Sequence, residues 1–176
     1  MTLVVSPTLD DVYKKLGDFI ATVITGVPVI QTPTNRTPAP PPSPGYIGMT
    51  ARLSSRIMTN IDHWEADDTA PTGIAIEQAV RLKVQLDCYG VQSGDWAVIL
   101  STVLRDEFGC VGLMPILAPL HADEPKFAPL VQGEEQYEYR WIVEAVLQYN
   151  PVVSTPQQFA NAAEINTINV DERYPP

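Results

Sequence analysis

The chain has 176 residues, 45% of them apolar, and carries a formal net charge of −10. That length fits one domain, residues 1–176, with enough apolar material for a sizeable core. The eleven basic residues are scattered, with no run longer than Lys14-Lys15, which excludes an electrostatic footprint for specific nucleic-acid binding.

The opening MTLVVSPTLDD lacks the basic and apolar regions of a secretory signal. Thr8 is placed to cap a helix, with Asp10 and Asp11 in its first turn at the positive end of the helix dipole. Leu9, Val12, Leu16, Phe19, Ile20 and Val23 recur at helical spacing, and Gly26 and Pro28 end the run. Seven prolines then fall from Pro28 to Pro44. This stretch predicts an extended, partly polyproline-II arm or loop over residues 28–45.

Residues 46–64 alternate as a strand, with a phase shift at Ser54-Ser55 that predicts a bulge there. EADDTAPTG reads as a loop. Residues 77–89 form a second alternating strand, with Val80, Leu82, Val84, Leu86 and Cys88 inward and Ala79, Arg81, Lys83, Gln85, Asp87 and Tyr89 outward. Cys88 and Cys110 are too few for a disulfide framework, and Cys88 reads as a buried reduced thiol. A helix over residues 95–107 follows, with Trp96, Ile99, Leu100, Val103 and Leu104 on its apolar face and Gly109 as a left-handed C-terminal residue. A short strand covers residues 116–120.

Residues 136–149, QYEYRWIVEAVLQY, predict the longest strand. Tyr137, Tyr139, Trp141, Val143, Ala145, Leu147 and Tyr149 share one face. At ~3.4 Å per residue this run spans roughly 48 Å, whereas a compact body of this size is roughly 40 Å across. The strand must bend, end early or project, and a projecting aromatic face needs a partner. Arg140 and Glu138 are expected to pair with Arg81, Lys83 or Asp87 of a neighbouring strand. Residues 164–176 read as a C-terminal tail.

The order of elements predicts an α+β fold: an antiparallel or mixed sheet of about four long strands, two main helices on one face, and the Pro-rich extended arm. No segment approaches the ~20 apolar residues of a membrane span, so no membrane partner is expected. Catalytic patterns are missing: no G-x-S-x-G turn, no phosphate loop and no dinucleotide fingerprint occur. His121, Asp123 and Glu124 read as a surface group. Asp62, His63, Asp67 and Asp68 offer the one alternative chemistry, a metal-dependent hydrolase, without a recognised ligand spacing. The expectation is a protein that is not an enzyme and has no cofactor.

Two stretches, VRLKVQLDCYGVQSGDWAVILSTVLRDEFG and EYRWIVEAVLQYNPVVSTPQQFANAA, carry a resemblance. A strand closes on Asp87, Tyr89 and Gly90, a helix follows over residues 95–107, and a long strand ends on Asn-Pro at residues 150–151. DVYKKLGDFIATVI and the proline stretch fit the same layout. In these features the chain resembles tail-terminator and neck proteins of contractile-tailed bacteriophages over most of residues 9–163. The resemblance implies a small α+β subunit in a homo-oligomeric ring, sixfold in that family, in the virion neck after assembly in the host cytoplasm. That ring caps the tail tube and joins it to the neck connector, with the tube, sheath and connector proteins as partners. Other tail or neck roles, such as a sheath or tube adaptor, share these features.

A ring also follows from size, because one small domain cannot encircle a DNA duplex. An acid excess suits a conduit, since carboxylates repel passing phosphates. Channel-facing candidates are Asp67, Asp68, Glu134 and Glu135. Candidate subunit or partner contacts are Pro38, Pro40, Pro41 and Pro42 of the arm, and Tyr137, Tyr139, Arg140 and Trp141 of the long strand.

Overall fold

A computed structural model of the chain describes residues 3–32, 43–65, 73–132 and 136–156. In chain order the described elements are β1 (Val4–Ser6), α1 (Leu9–Val23), β2 (Val29–Gln31), β3 (Tyr46–Arg56), β4 (Ile61–Glu65), β5 (Gly73–Glu77) and β6 (Val80–Tyr89). They continue with α2 (Ser93–Val103), α3 (Glu107–Leu113), β7 (Ala118–Ala122), β8 (Lys126–Phe127), β9 (Leu130–Gln132), β10 (Gln136–Glu138), β11 (Arg140–Tyr149) and β12 (Val152–Pro156).

The α+β class holds, and its details differ from expectation. The main sheet has the order β2-β3-β6-β11-β7, with β8 also paired to β11. Its pairs are antiparallel except β2 with β3. The apolar alternation of β6 buries Val80, Leu82, Val84, Leu86 and Cys88 as anticipated. Of these, Leu82, Val84, Leu86 and Cys88 meet Val143, Ala145 and Leu147 of β11 in one core with buried apolar residues of all three described helices. The helices therefore share one face of the main sheet. None among the described residues is long and apolar enough to cross a membrane.

Helix α1 begins as the sequence foretells. The Asp11 amide donates to Thr8 Oγ1 at 3.2 Å, and the Thr8 amide donates to Asp11 Oδ2 at 2.9 Å, a reciprocal capping box. The Thr8 hydrogen bonds hold the Asp11 carboxyl below its usual range. The face that packs is Val12, Tyr13, Leu16, Phe19 and Ile20.

The anticipated helix over residues 95–107 is instead two helices. Asp106 starts α3 by accepting from the Phe108 amide at 2.9 Å, so the chain turns between Val103 and Glu107. Gly109 lies inside α3 and not at a left-handed cap. A Cβ there would overlap the Val103 carbonyl, so glycine permits α3 to pack against the end of α2. Within the anticipated arm, Val29–Gln31 is a strand on the sheet edge, and the Thr32 amide extends it by donating to Met49 O at 3.0 Å. Pro38, Pro40, Pro41 and Pro42 lie outside the described residues. The bulge in β3 falls between Ala51 and Leu53, ahead of Ser54-Ser55.

The long strand also divides. β6 ends at Gly90, whose φ of 113° is left-handed and favours glycine. The Gly90 amide makes its last bond to Tyr139 O at 3.1 Å. Beyond that point β10 pairs with β9 in a separate hairpin. The undivided run is thus the ten residues of β11, roughly 34 Å at ~3.4 Å per residue, which fits within a compact body.

Extension reappears in another form. A second sheet has the order β1-β12-β5-β4, antiparallel throughout. Its inner order β4-β5-β12 repeats the β3-β6-β11 order of the main sheet. Links at residues 57–60, 78–79 and 150–151 carry each chain segment across. Hydrogen bonds from Ile57 N to Ala79 O and from Gln78 N to Pro151 O, both 3.0 Å, bridge the joint.

The capping box yields a stability expectation. Thr8→Ala removes the side-chain acceptor at the α1 start and is expected to cost about 1 kcal/mol, read as a lowered denaturant midpoint at unchanged slope.

Candidate assembly surfaces

The face of the main sheet away from the helices holds a polar chain across three strands. Arg52 Nε on β3 donates to Gln85 Oε1 at 2.7 Å, and Gln85 Nε2 on β6 donates to Asp87 Oδ1 at 2.6 Å. Arg140 on β11 reaches the same Asp87 oxygen through Nη2 at 2.8 Å and Nε at 3.1 Å. Gln85 and Asp87 are buried, so an unpaired carboxylate here would be costly. The register explains the contact: Arg140, Tyr89 and Tyr46 form one row across the sheet. Tyr46 and Tyr89 stack at 4.4 Å, and the Arg140 guanidinium lies 5.6 Å from the Tyr89 ring centre. Burial pushes the Tyr46 phenol up to about 12.

Arg140 thus takes the Asp87 partner expected from sequence, and it is occupied within the subunit. Trp141 packs against the core and against Phe127, with ring centres 5.4 Å apart. Tyr137 and Tyr139 are the outward members of the aromatic set, 73% and 58% exposed. With Phe127, Pro129 and Glu138 they line an open groove of about 360 Å³ beside the hairpin. Asp67, Asp68, Glu134 and Glu135 lie outside the described residues, in the connections that follow β4 and β9.

The second sheet was not legible as a unit, and among the described residues it stands apart from the core. None of its residues belongs to the core under the helices. The register aligns Val5, Val153, Ile76 and Asp62 in one row, and Thr155, Ile74 and Trp64 in the next row of that face. The opposite face carries Ser6, Val152, Glu77 and Ile61, then Val4, Ser154, Ala75 and His63. One face is therefore mainly apolar and the other mixed.

Alternation places Asp62 and His63 on opposite faces, which separates two members of the alternative metal set. His63 Nε2 instead sits 2.8 Å from Glu77 Oε2, and Asn150 Nδ2 donates to Glu77 Oε1 at 2.7 Å. These bonds, His63 first, hold the Glu77 carboxyl below its ordinary value of 4.5. Among the described residues no group of three or more histidine, cysteine or carboxylate side chains is placed to hold a metal. His121 Nε2 lies 3.3 Å from Asp123 Oδ1 in an exposed pair.

Two outcomes follow. Asp87→Ala strands Arg140 and the Gln85 amide, and is expected to cost about 3 kcal/mol in denaturant unfolding. Glu77 has a lowered carboxyl pKa in the folded chain, so its contribution is complete above its ordinary value and is lost as pH falls through the folded one. Glu77→Gln is therefore expected to flatten the loss of thermal stability between neutral and acid pH, as read by melting scans across that range.

No curated protein matches the chain. A family model described as phage neck terminator protein matches residues 10–172, which takes in α1 from its second residue, the central strands of both sheets, α2 and α3. The family is structural and places its members in the phage neck, among other tail and neck components. The chain belongs to the phage neck terminator protein family.

Proposed function

We propose that the chain forms a ring, sixfold as the sequence resemblance implies, at the head-proximal end of a contractile phage tail. There it ends the tail tube and joins it to the neck connector, with the sheath protein alongside, and DNA passes through the centre without specific binding. The family match supports the neck placement. The observation that carries the ring is the second sheet, which lies outside the core and, among the described residues, has no helix over it. A four-stranded sheet whose mainly apolar face lies outside the described core is, among the described residues, an incomplete surface, and copies of one chain complete such surfaces most simply in closed symmetry.

The net charge of −10 supports a conduit that repels the DNA it passes. Asp67, Asp68, Glu134 and Glu135 are proposed to face the opening. The prolines at 38 and 40–42 are proposed to strap a neighbour, because a proline-rich segment loses little entropy on docking. The exposed Tyr137 and Tyr139 are proposed as contacts for a tube or connector protein, as aromatic side chains dominate such interfaces.

Negative-stain electron microscopy of the purified chain, alone and with its tail tube protein, tests this reading. Annular particles of uniform diameter are the expected result. A chain that stays monomeric in light scattering with the tube protein present overturns it.

A further inference from the structure

The two sides of the main sheet differ in charge as well as in cover. On the side away from the helices, register and hydrogen bonds place Arg52, Arg81, Lys83, Lys126 and Arg140 across β3, β6, β8 and β11. They outnumber the carboxylates beside them, Asp87, Asp123 and Glu144, in a chain whose formal net charge is −10. Asp87 holds Arg140 and Asp123 lies near Lys126, but Arg81 and Lys83 have no ion pair among the described residues. Apolar side chains lie among the cations. Leu53, Lys83 and Val146 form one row, with Arg81 in the next, and Leu53 is 54% exposed. Arginine mixed with open apolar surface is the composition of a protein interface, and carboxylates within the patch disfavour phosphate.

Helix α3 carries the complementary pattern. Asp106 and Glu107 at its start are exposed. From Phe108 to Leu120 the chain has no charged residue, although Phe108, Val111 and Met114 are 58%, 66% and 61% exposed. The buried side of α3 is Gly109 and Leu113, so the core does not account for the outward residues. A helix apolar on both sides is one that is covered on both.

We infer that α3 of one copy lies on the open face of the next copy's main sheet, with Asp106 and Glu107 toward Arg81 and Lys83, and with Phe108 and Val111 on Leu53 and Val146. The inference rests on the ring reading and names a surface that makes it. The sheet then has helices on both faces, its own on one and a neighbour's on the other. Two sheet faces laid together would set cation against cation. The contact therefore joins unlike surfaces, the heterologous kind that generates rings.

The test uses the full chain in two charge-altered forms. Leu53→Glu with Arg81→Glu makes the sheet face acidic, and Glu107→Lys with Val111→Lys makes α3 basic. All four side chains are exposed, and melting temperatures close to that of the unaltered chain confirm that each form folds. A form that melts early is replaced by its single substitution, Arg81→Glu or Glu107→Lys. Native mass spectrometry is run under conditions in which the unaltered chain forms rings. Each form alone is expected to lose the ring and run as a monomer. An equimolar mixture is expected to regain rings with equal numbers of the two, because each altered surface then meets its opposite.

Rings that persist in both forms alone overturn the contact and leave the ring reading standing. A mixture that stays monomeric after each form has lost the ring overturns the pairing of these two surfaces. Duplex DNA titrated onto the unaltered chain, followed by fluorescence anisotropy, is expected not to bind at physiological salt. Binding that the Leu53→Glu, Arg81→Glu form loses assigns the face to phosphate and overturns the inference. An unaltered chain that is monomeric under every condition, tube protein included, overturns the ring reading and this inference with it.

Discussion

The fold depends on burial of one face of three adjacent strands, β3, β6 and β11, beneath α1, α2 and α3. Leu82, Val84, Leu86, Val143, Ala145 and Leu147 are all at or near zero exposure there. Burying each such side chain contributes roughly 1.5–3 kcal/mol, and the helices hold their positions through that contact more than through their own propensity. The same three chain segments then run on past the helices into the second sheet. Among the described residues, burial is thus complete at one end and partial at the other, and the functional reading follows from that inequality.

The opposite face of the main sheet is organised by charge. Asp87 alone would be costly to bury, and Arg140 alone would gain little from its position. Together with Gln85 and Arg52 they tie β3, β6 and β11 to a single alignment. A one-residue slip of β11 would turn Arg140 toward the apolar core and leave Asp87 unpaired. The network thus penalises wrong registers between long strands that hydrophobic contact alone distinguishes weakly. Cys88, next to Asp87, points the other way into the core, where burial pushes its thiol up to about 12 and keeps it out of thiolate chemistry.

Legibility in the sequence followed the range of the interactions. The α1 start was legible because its cap is a contact between Thr8 and Asp11. The β6 alternation was legible because one face is buried along its whole length. The division of α2 from α3 left a local trace, Asp106 before Glu107, but the reason for Gly109 lies in its approach to Val103. The break at Tyr139 was not legible, because it occurs where the partner strand ends at Gly90, far off in sequence. β1, β5 and β12 are three to five residues long and acquire meaning only from each other. Of the candidate contacts, Tyr137 and Tyr139 lie on the surface, whereas Arg140 and Trp141 serve the interior, a distinction set by what β6 and Phe127 place beside them.

The position of β12 has a temporal consequence. It lies between β1, near the start of the chain, and β5, and it comes from the last described segment. While the polypeptide is still being synthesised, β1 has nothing to lie against and the β4–β5 hairpin stands alone, marginal by itself in water. The four-stranded sheet comes into being only after the ribosome has delivered residue 156. The surface of that sheet is thus the last part of the described fold to be assembled.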